Sequence, residues 1–398
     1  MIDIEAIQCT ACEACINACP QKCISLMRTE YLEEKPYIDS NHCINCGVCE
    51  KVCPQTTMRV KHTILHCYAA FRNDKLKRAD SSSGGIASLF YEHAQKQGMN
   101  IYGVKYTRES GAIYTMANSS IDVELFKGSK YVHASMGGVY TCIENQLNKE
   151  ENVFFIGLPC QVAGLLNYLE RKHVKCDNLI TVDLLCHGTC PSDYLIQEVD
   201  YIKKKLNLSE IYNVTFRSNR PKRLYSLILY NENAKVQKSW PIEFQPYFYG
   251  FLRGITLREN CYYCQYATSK RVADITIGDF IDLGKIDGFP EFNWGAGNNS
   301  IVLANTEKGN YFIQQLDKNE ISIFEREIAE GIKQGISLRE SFPKHMLRER
   351  FLDYMNCDTY FPKAIRKTVG IRIAYNRYLC RYINFISRKL KLPTLRFK

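Results

Sequence analysis

Eight cysteines in two copies of one spacing constrain this chain more than anything else in it. Cys9-x-x-Cys12-x-x-Cys15-x-x-x-Cys19-Pro20 recurs as Cys43-x-x-Cys46-x-x-Cys49-x-x-x-Cys53-Pro54. Three thiolates at i, i+3 and i+6 wrap a loop around one face of an iron–sulfur cube, and the fourth reaches a second cube. The spacing predicts two 4Fe–4S clusters: one on Cys9, Cys12, Cys15 and Cys53, the other on Cys43, Cys46, Cys49 and Cys19. The prolines turn the chain after each remote ligand. Two four-cysteine zinc sites are the competing use of eight thiolates, but zinc ribbons pair C-x-x-C units and do not close a run of four with proline. Cys23, beside the first run, reads as a small packed residue, with a ligand role as the alternative. Between the copies, ISLM and PYID flank a charged EYLEEK stretch, which predicts a short β-hairpin.

The rest of the composition narrows the setting. Nine of the 19 cysteines fall within residues 9–53. The chain opens on MIDIEAIQCTAC, without the basic and apolar regions of a secretory leader. A cytoplasmic protein with reduced, metal-bound thiolates is therefore expected, not a disulfide framework. No apolar run of about 18 residues suggests a membrane span. The net charge is +10, yet residues 359–398 carry 11 Lys and Arg and no acidic residue, leaving 41 basic against 42 acidic in the first 358. A protein-wide nucleic-acid surface is excluded by that balance. On a helix at 100° per residue, Ile371, Ala374, Tyr378, Leu379, Tyr382 and Ile386 share one face and Arg377, Arg381 and Arg388 flank it. This basic amphipathic tail has three possible fates: contact with the inner face of an anionic membrane, packing of its stripe on the body, or docking of an acidic partner.

Two clusters this close make a one-electron wire with no substrate of its own, so the other ~340 residues must hold what it feeds. Residues 1–62 are expected to form the cluster domain, 63–350 a larger domain (parts 63–150 and 151–350), and 359–398 the tail. In the larger domain Val153–Ile156 reads as a buried strand, a helix runs from about Gln161 to Arg171, and Leu179–Leu185 and Ile275–Ile277 are further apolar runs. Strands alternating with helices predict an α/β sheet. Cys160 sits at a strand-to-helix turn, Cys186 just past a strand, and Cys261 and Cys264 in a C-x-x-C. No Ser-His-Asp arrangement, Walker loop or dinucleotide fingerprint stands out.

At these residues the sequence resembles the β-subunits of coenzyme F-420 hydrogenases and dehydrogenases. The pieces, in order, are SSSGGIASLF at 81–90, KGSKYVHAS at 127–135, FFIGLPCQVAGLL at 154–166, VDLLCHG at 182–188 and CYYCQYATSKRVADITIGDF at 261–280. The resemblance implies an α+β protein: a bacterial-type double-cluster ferredoxin domain, an α/β flavin-binding domain and the basic helical tail. It implies that Cys160, Cys186, Cys261 and Cys264 hold a third 4Fe–4S cluster. Two alternatives stay open: Cys160 as a low-pKa thiolate at a helix start, and Cys190 in place of one ligand. It also makes Ser83, Gly84 and Gly85, ahead of a helix over 86–97, part of an FAD site, against a plain serine cap with flexible glycines. Ser129, Lys130 and Tyr131 form a second expected flavin contact, and Asp279 a third, against a surface lysine and a turn aspartate. His187 is a candidate proton donor or a structural histidine. Many relatives follow Gly-Asp-Phe with Trp-Gly; here Ile281 and Asp282 follow, so substrate choice is expected to differ.

The implied activity is that of an iron–sulfur flavoprotein oxidoreductase. A reduced ferredoxin or another redox protein supplies single electrons, and FAD passes a hydride to a small molecule, either coenzyme F-420 or an intermediate of a bacterial surface-polysaccharide pathway. The motifs do not encode the direction of flow. A cluster-only carrier serving a separate catalytic partner is the alternative, and a flavin-free scaffold a third reading.

Overall fold

A computed structural model describes residues 8–217, 225–280, 299–390 and 392–395; the Ile281–Asp282 departure lies outside them. The N-terminal hairpin forms as the sequence suggests. β1 (Ile24–Arg28) pairs antiparallel with β2 (Glu34–Ile38), Ile24 opposite Ile38 and Arg28 opposite Glu34. Each cysteine run contains a short helix, Ala14–Ala18 in the first copy and Val48–Val52 in the second.

The larger part is built on an eight-stranded mixed sheet. Its strands are β3 (His66–Arg72), β4 (Asn100–Thr107), β5 (Gly111–Met116), β6 (Val153–Gly157), β7 (Leu179–Leu184), β11 (Ile275–Asp279), β12 (Ser300–Ala304) and β13 (Ile321–Arg326). A separate antiparallel sheet of three short strands, β8 (Asn213–Thr215), β9 (Ser226–Tyr230) and β10 (Val236–Pro241), stands between β7 and β11 in the chain. The large sheet runs β13-β3-β12-β11-β7-β6-β4-β5. Its centre, β4-β6-β7-β11, is parallel, and both flanks are antiparallel.

Burial explains the apolar runs. All five residues of β6 are buried, as a central strand covered on both faces requires. Phe154 packs with Phe90 and Phe312 on one face, while Phe155 joins the core with Tyr140, Val162 and Leu165 on the other, the two-residue alternation of a strand. The second of these cores also takes in Cys12, Ala14, Ala18 and Val52. The ferredoxin part thus shares the main hydrophobic core. So does the start of the basic segment: Phe361, Ile365 and Val369, on the helix Phe361–Ala374, are fully buried there. A tail drawn from residue 359 therefore begins inside the core.

Candidate redox centres and cofactor cavity

The cysteine repeat folds into two small cavities, and their linings follow the crossed pairing. One is lined by Cys9, Cys12, Cys15 and Cys53, the other by Cys19, Cys43, Cys46 and Cys49. Cys23 lines the second as well, with its sulfur 3.5 Å from that of Cys19. Among the described residues no three His, Cys, Asp or Glu side chains converge on a single metal ion.

The parallel strands β6, β7 and β11 end at one edge of the sheet, where ligands of open α/β sheets collect. Cys160 emerges after β6, in the first turn of the helix Pro159–Arg171, and Cys186 after β7. Cys261 lies in a short 3-10 turn at Glu259–Tyr263, and Cys264 caps its end. The four cysteines are half-buried near one another. Burial raises the pKa of each, and their mutual repulsion adds to it for Cys160, Cys186 and Cys261. Burial thus opposes the reading of Cys160 as a low-pKa thiolate. The Thr189 N–H points at the Cys261 sulfur (3.4 Å) and the Gly188 N–H at that of Cys186 (3.3 Å). Cys190 is fully buried and engages the Thr256 hydroxyl at 3.1 Å, with burial pushing its thiol up to about 12. It packs as a core residue.

The first ferredoxin cavity and this cysteine set abut. Gly164 lies one helical turn after Cys160, on the same face. A methyl group there would stand 2.9 Å from the Cys12 sulfur. Buried Tyr266 sits between the two sets: its hydroxyl donates to the Pro54 carbonyl (3.1 Å), beside Cys53. Burial raises that hydroxyl's pKa, and the thiols of Cys160, Cys12, Cys264 and Cys53 raise it further.

On the other side of Cys186 opens a cavity of about 480 Å³. Ser83, Gly85, Ser129, Lys130, Tyr131, His187 and Asp279, named from sequence, all line it. Gly84 does not: its Cα faces the sheet, where a Cβ would lie 2.5 Å from the Ala70 carbonyl oxygen. Gly85 starts the helix Ile86–Lys96 at φ 84°, without a side-chain cap. The two loops are tied together, since the Ser129 N–H donates to the Ser82 hydroxyl at 2.9 Å, and the Ser83 hydroxyl donates to the Asn299 carbonyl at 2.8 Å.

Individual side chains have definite partners. Lys130 donates to the Leu125 and Lys127 carbonyls (2.7 and 2.6 Å), and burial pushes its pKa down to about 7. It serves the last carbonyls of the helix Ser120–Phe126. The Tyr131 ring stacks on Phe251 at 4.7 Å. His187 lies against Phe342 and Phe251, its Nε2 3.3 Å from the Phe251 carbonyl oxygen. Burial pushes its pKa down to about 4. It is neutral near pH 7, with the proton on Nε2 and Nδ1 left as an acceptor. Asp279 forms an ion pair with Arg217, a residue the sequence did not single out among 52 Lys and Arg. Arg217 is 4% exposed, stacks over Tyr225 at 4.7 Å and lines the cavity, with no hydrogen-bond acceptor for its Nε and Nη2 among the described residues.

Fold and cysteines define an iron–sulfur protein in which a two-cluster ferredoxin domain is built onto an α/β body. Residues 8–57 match the 4Fe–4S dicluster domain family, and residues 150–328 match the family described as the C terminus of the coenzyme F-420 hydrogenase/dehydrogenase β-subunit. The chain is thus an iron–sulfur electron-transfer protein related to those β-subunits. The pieces at 81–90 and 127–135 lie ahead of the matched stretch. Among solved structures, a chain of the F-420-reducing NiFe hydrogenase complex from Methanosarcina barkeri is similar, at 14% identity over 85% of this chain and 97% of that one, with a TM-score of 0.45. No curated protein matches.

Proposed function

We propose that this chain is an iron–sulfur flavoprotein oxidoreductase that moves electrons between a ferredoxin-type protein and a hydride-accepting small molecule. The observation that carries the reading is one continuous series: the second ferredoxin cavity, the first, the four-cysteine set, and the 480 Å³ cavity against Cys186. Cys160, Cys186, Cys261 and Cys264 would hold the third cluster, which half-buried, mutually repelling thiols favour because iron neutralises them. Bound FAD would supply the exchange between one-electron and two-electron chemistry. The Ser83–Gly85 loop and the uncapped start of the helix Ile86–Lys96 would receive its phosphates. Arg217 presents its Nε and Nη2, without a hydrogen-bond acceptor among the described residues, to a carbonyl or anionic edge of the cofactor, and Asp279 fixes its orientation. His187, neutral and pinned by the Phe251 carbonyl, offers Nδ1 as a proton acceptor beside the cavity. The substrate would be coenzyme F-420 or an intermediate of a surface-polysaccharide pathway, and the work would be done at the cytoplasmic side of the inner membrane.

The test is the cofactor content of anaerobically purified protein. About twelve iron, matched by sulfide, and one flavin per chain are expected from three four-iron clusters and FAD. About eight iron with no flavin would overturn the proposal in favour of a two-cluster carrier.

A further inference from the structure

The C-terminal helix is turned inside out. Past the buried helix Phe361–Ala374, the chain continues through a π-helical turn, Tyr375–Cys380, into the helix Arg381–Lys389. The stripe that faces inward is largely polar: Asn376, Cys380, Asn384 and Ser387 are buried. They are held by hydrogen bonds. The Asn376 side chain donates to the Glu243 carbonyl (3.3 Å), the Asn384 amide donates to the Leu395 carbonyl (2.9 Å), and the Leu395 N–H returns to Asn384 Oδ1 (2.6 Å).

The apolar stripe faces solvent instead. Ile371, Tyr378, Tyr382 and Phe385 are 83, 69, 64 and 58% exposed, and Leu379 and Leu390 lie beside them. A helix in water does the reverse, and contiguous exposed apolar surface marks an interaction site. Packing of this stripe on the body, one of the three fates open from sequence, is not what the described residues do. The basic side chains along and beside it, with Lys389 over the Phe385 ring, decide the occupant. Arg377, Arg381 and Lys389 are exposed, and residues 359–398 contain no acidic residue. A second copy on this face would set like charges against each other.

We propose that this helix binds an anionic lipid surface, lying in the interface with Tyr378, Tyr382 and Phe385 among the upper acyl chains and Arg377, Arg381 and Lys389 on the headgroups. No helix of the described residues is long and apolar enough to cross a membrane, so the contact is peripheral. It does not depend on the redox reading.

The test uses the full chain, purified anaerobically, in flotation with vesicles of phosphatidylcholine alone or mixed with phosphatidylglycerol. Binding is expected only where phosphatidylglycerol is present, and high salt should weaken it. Tyr382→Ser with Phe385→Ser, and separately Arg381→Glu with Lys389→Glu, should each lower it by at least about ten-fold. Unchanged iron content and visible absorbance would show both variants folded. Three results would overturn the proposal: no binding to either vesicle, binding that survives both variants, or a dimer in sedimentation equilibrium that Tyr382→Ser with Phe385→Ser dissolves. Absence of flavin would sink the functional proposal and leave lipid binding untouched.

Discussion

The two copies of the cysteine repeat share a spacing and differ in surroundings. Glu13 in the first corresponds to Gly47 in the second, and both are left-handed, at φ 62° and 71°. Glycine adopts that conformation without strain. Glutamate bears a cost there, offset by what its carboxylate accepts: the Ser135 hydroxyl and the Met136 and Gly137 N–H groups, each at 2.9 Å. The first copy also carries Asn17, which donates to the Gly137 carbonyl at 2.8 Å. The second copy leaves Cys46 exposed, with Ile44 and Tyr37 over half exposed nearby. Chain symmetry has been broken by docking: one copy is an inner station and the other faces outward. In the proposed wire, electrons would arrive at the outer copy.

The largest expected effect lies at the dock. The hairpin of the ferredoxin domain inserts Glu34, 3% exposed, against Arg258 and the Ser192 N–H. Removing one partner of such a buried pair leaves a bare charge, so Glu34→Ala should cost about 3–5 kcal/mol in anaerobic urea unfolding. Asp39→Ala, which breaks the exposed Asp39–His42 contact near the outer copy, should leave the midpoint where it was. Equal effects would refute the contrast. The same pair predicts a pH dependence. Burial, the largest single influence, disfavours the Glu34 carboxylate, but Arg258, His133 and the two Ser192 hydrogen bonds together outweigh it and draw the pKa down to about 2. An unfolded glutamate titrates near ~4.3. A folded pKa below the unfolded one stabilises fully above about pH 4.3, and the contribution drains away as pH falls toward 2. The urea midpoint of the native chain should therefore drop over that window by more than that of Glu34→Gln.

What the sequence disclosed and what it hid divide along the same line. Cluster chemistry fixes the spacing of its ligands within one segment, so the sorting of the eight N-terminal cysteines into two cavity linings was readable, as were the hairpin and the buried β6. Contacts between distant segments leave no local trace. Cys160, Cys186, Cys261 and Cys264 come from three segments, and only a resemblance grouped them. Arg217, Glu34 and Arg258 looked like any surface charge. The antiparallel flanks of the sheet could not be told from further parallel units, since apolar runs carry no direction. The C-terminal helix shows the limit plainly: a helical wheel finds two faces, but the hydrogen bonds that Asn376 and Asn384 make with the Glu243 and Leu395 backbone go with burial of the polar one.

An intermediate effect is expected from one added methyl group in each region. Gly164→Ala places carbon 2.9 Å from the Cys12 sulfur and 3.1 Å from the Tyr140 hydroxyl. Overpacking of this kind costs about 1–3 kcal/mol, and the magnetic resonance signal of the reduced inner cluster should change while that of the outer one does not. Gly47→Ala meets nothing within 4 Å; its cost, about 1–2 kcal/mol, comes only from the left-handed backbone. A Gly164→Ala variant with native stability and an unaltered inner signal would mean that helix Pro159–Arg171 does not press on the first cluster.

The smallest effect on stability sharpens the comparison most. Ile44 lines the outer cavity, Tyr37 is the strand neighbour of cavity-lining Ile38 and points to the opposite face, and both are exposed. Ile44→Lys with Tyr37→Ser should change unfolding by no more than about 0.5 kcal/mol. If the outward copy is where a ferredoxin docks, the same variant should slow reduction by reduced ferredoxin about ten-fold, through weaker encounter. Reduction by dithionite, a small reagent that needs no docking face, should keep its rate. Slowing of both would point to damage at the cluster itself. Slowing of neither would move the docking site elsewhere, and the exposure of the second copy would then have to be explained by something other than a redox partner.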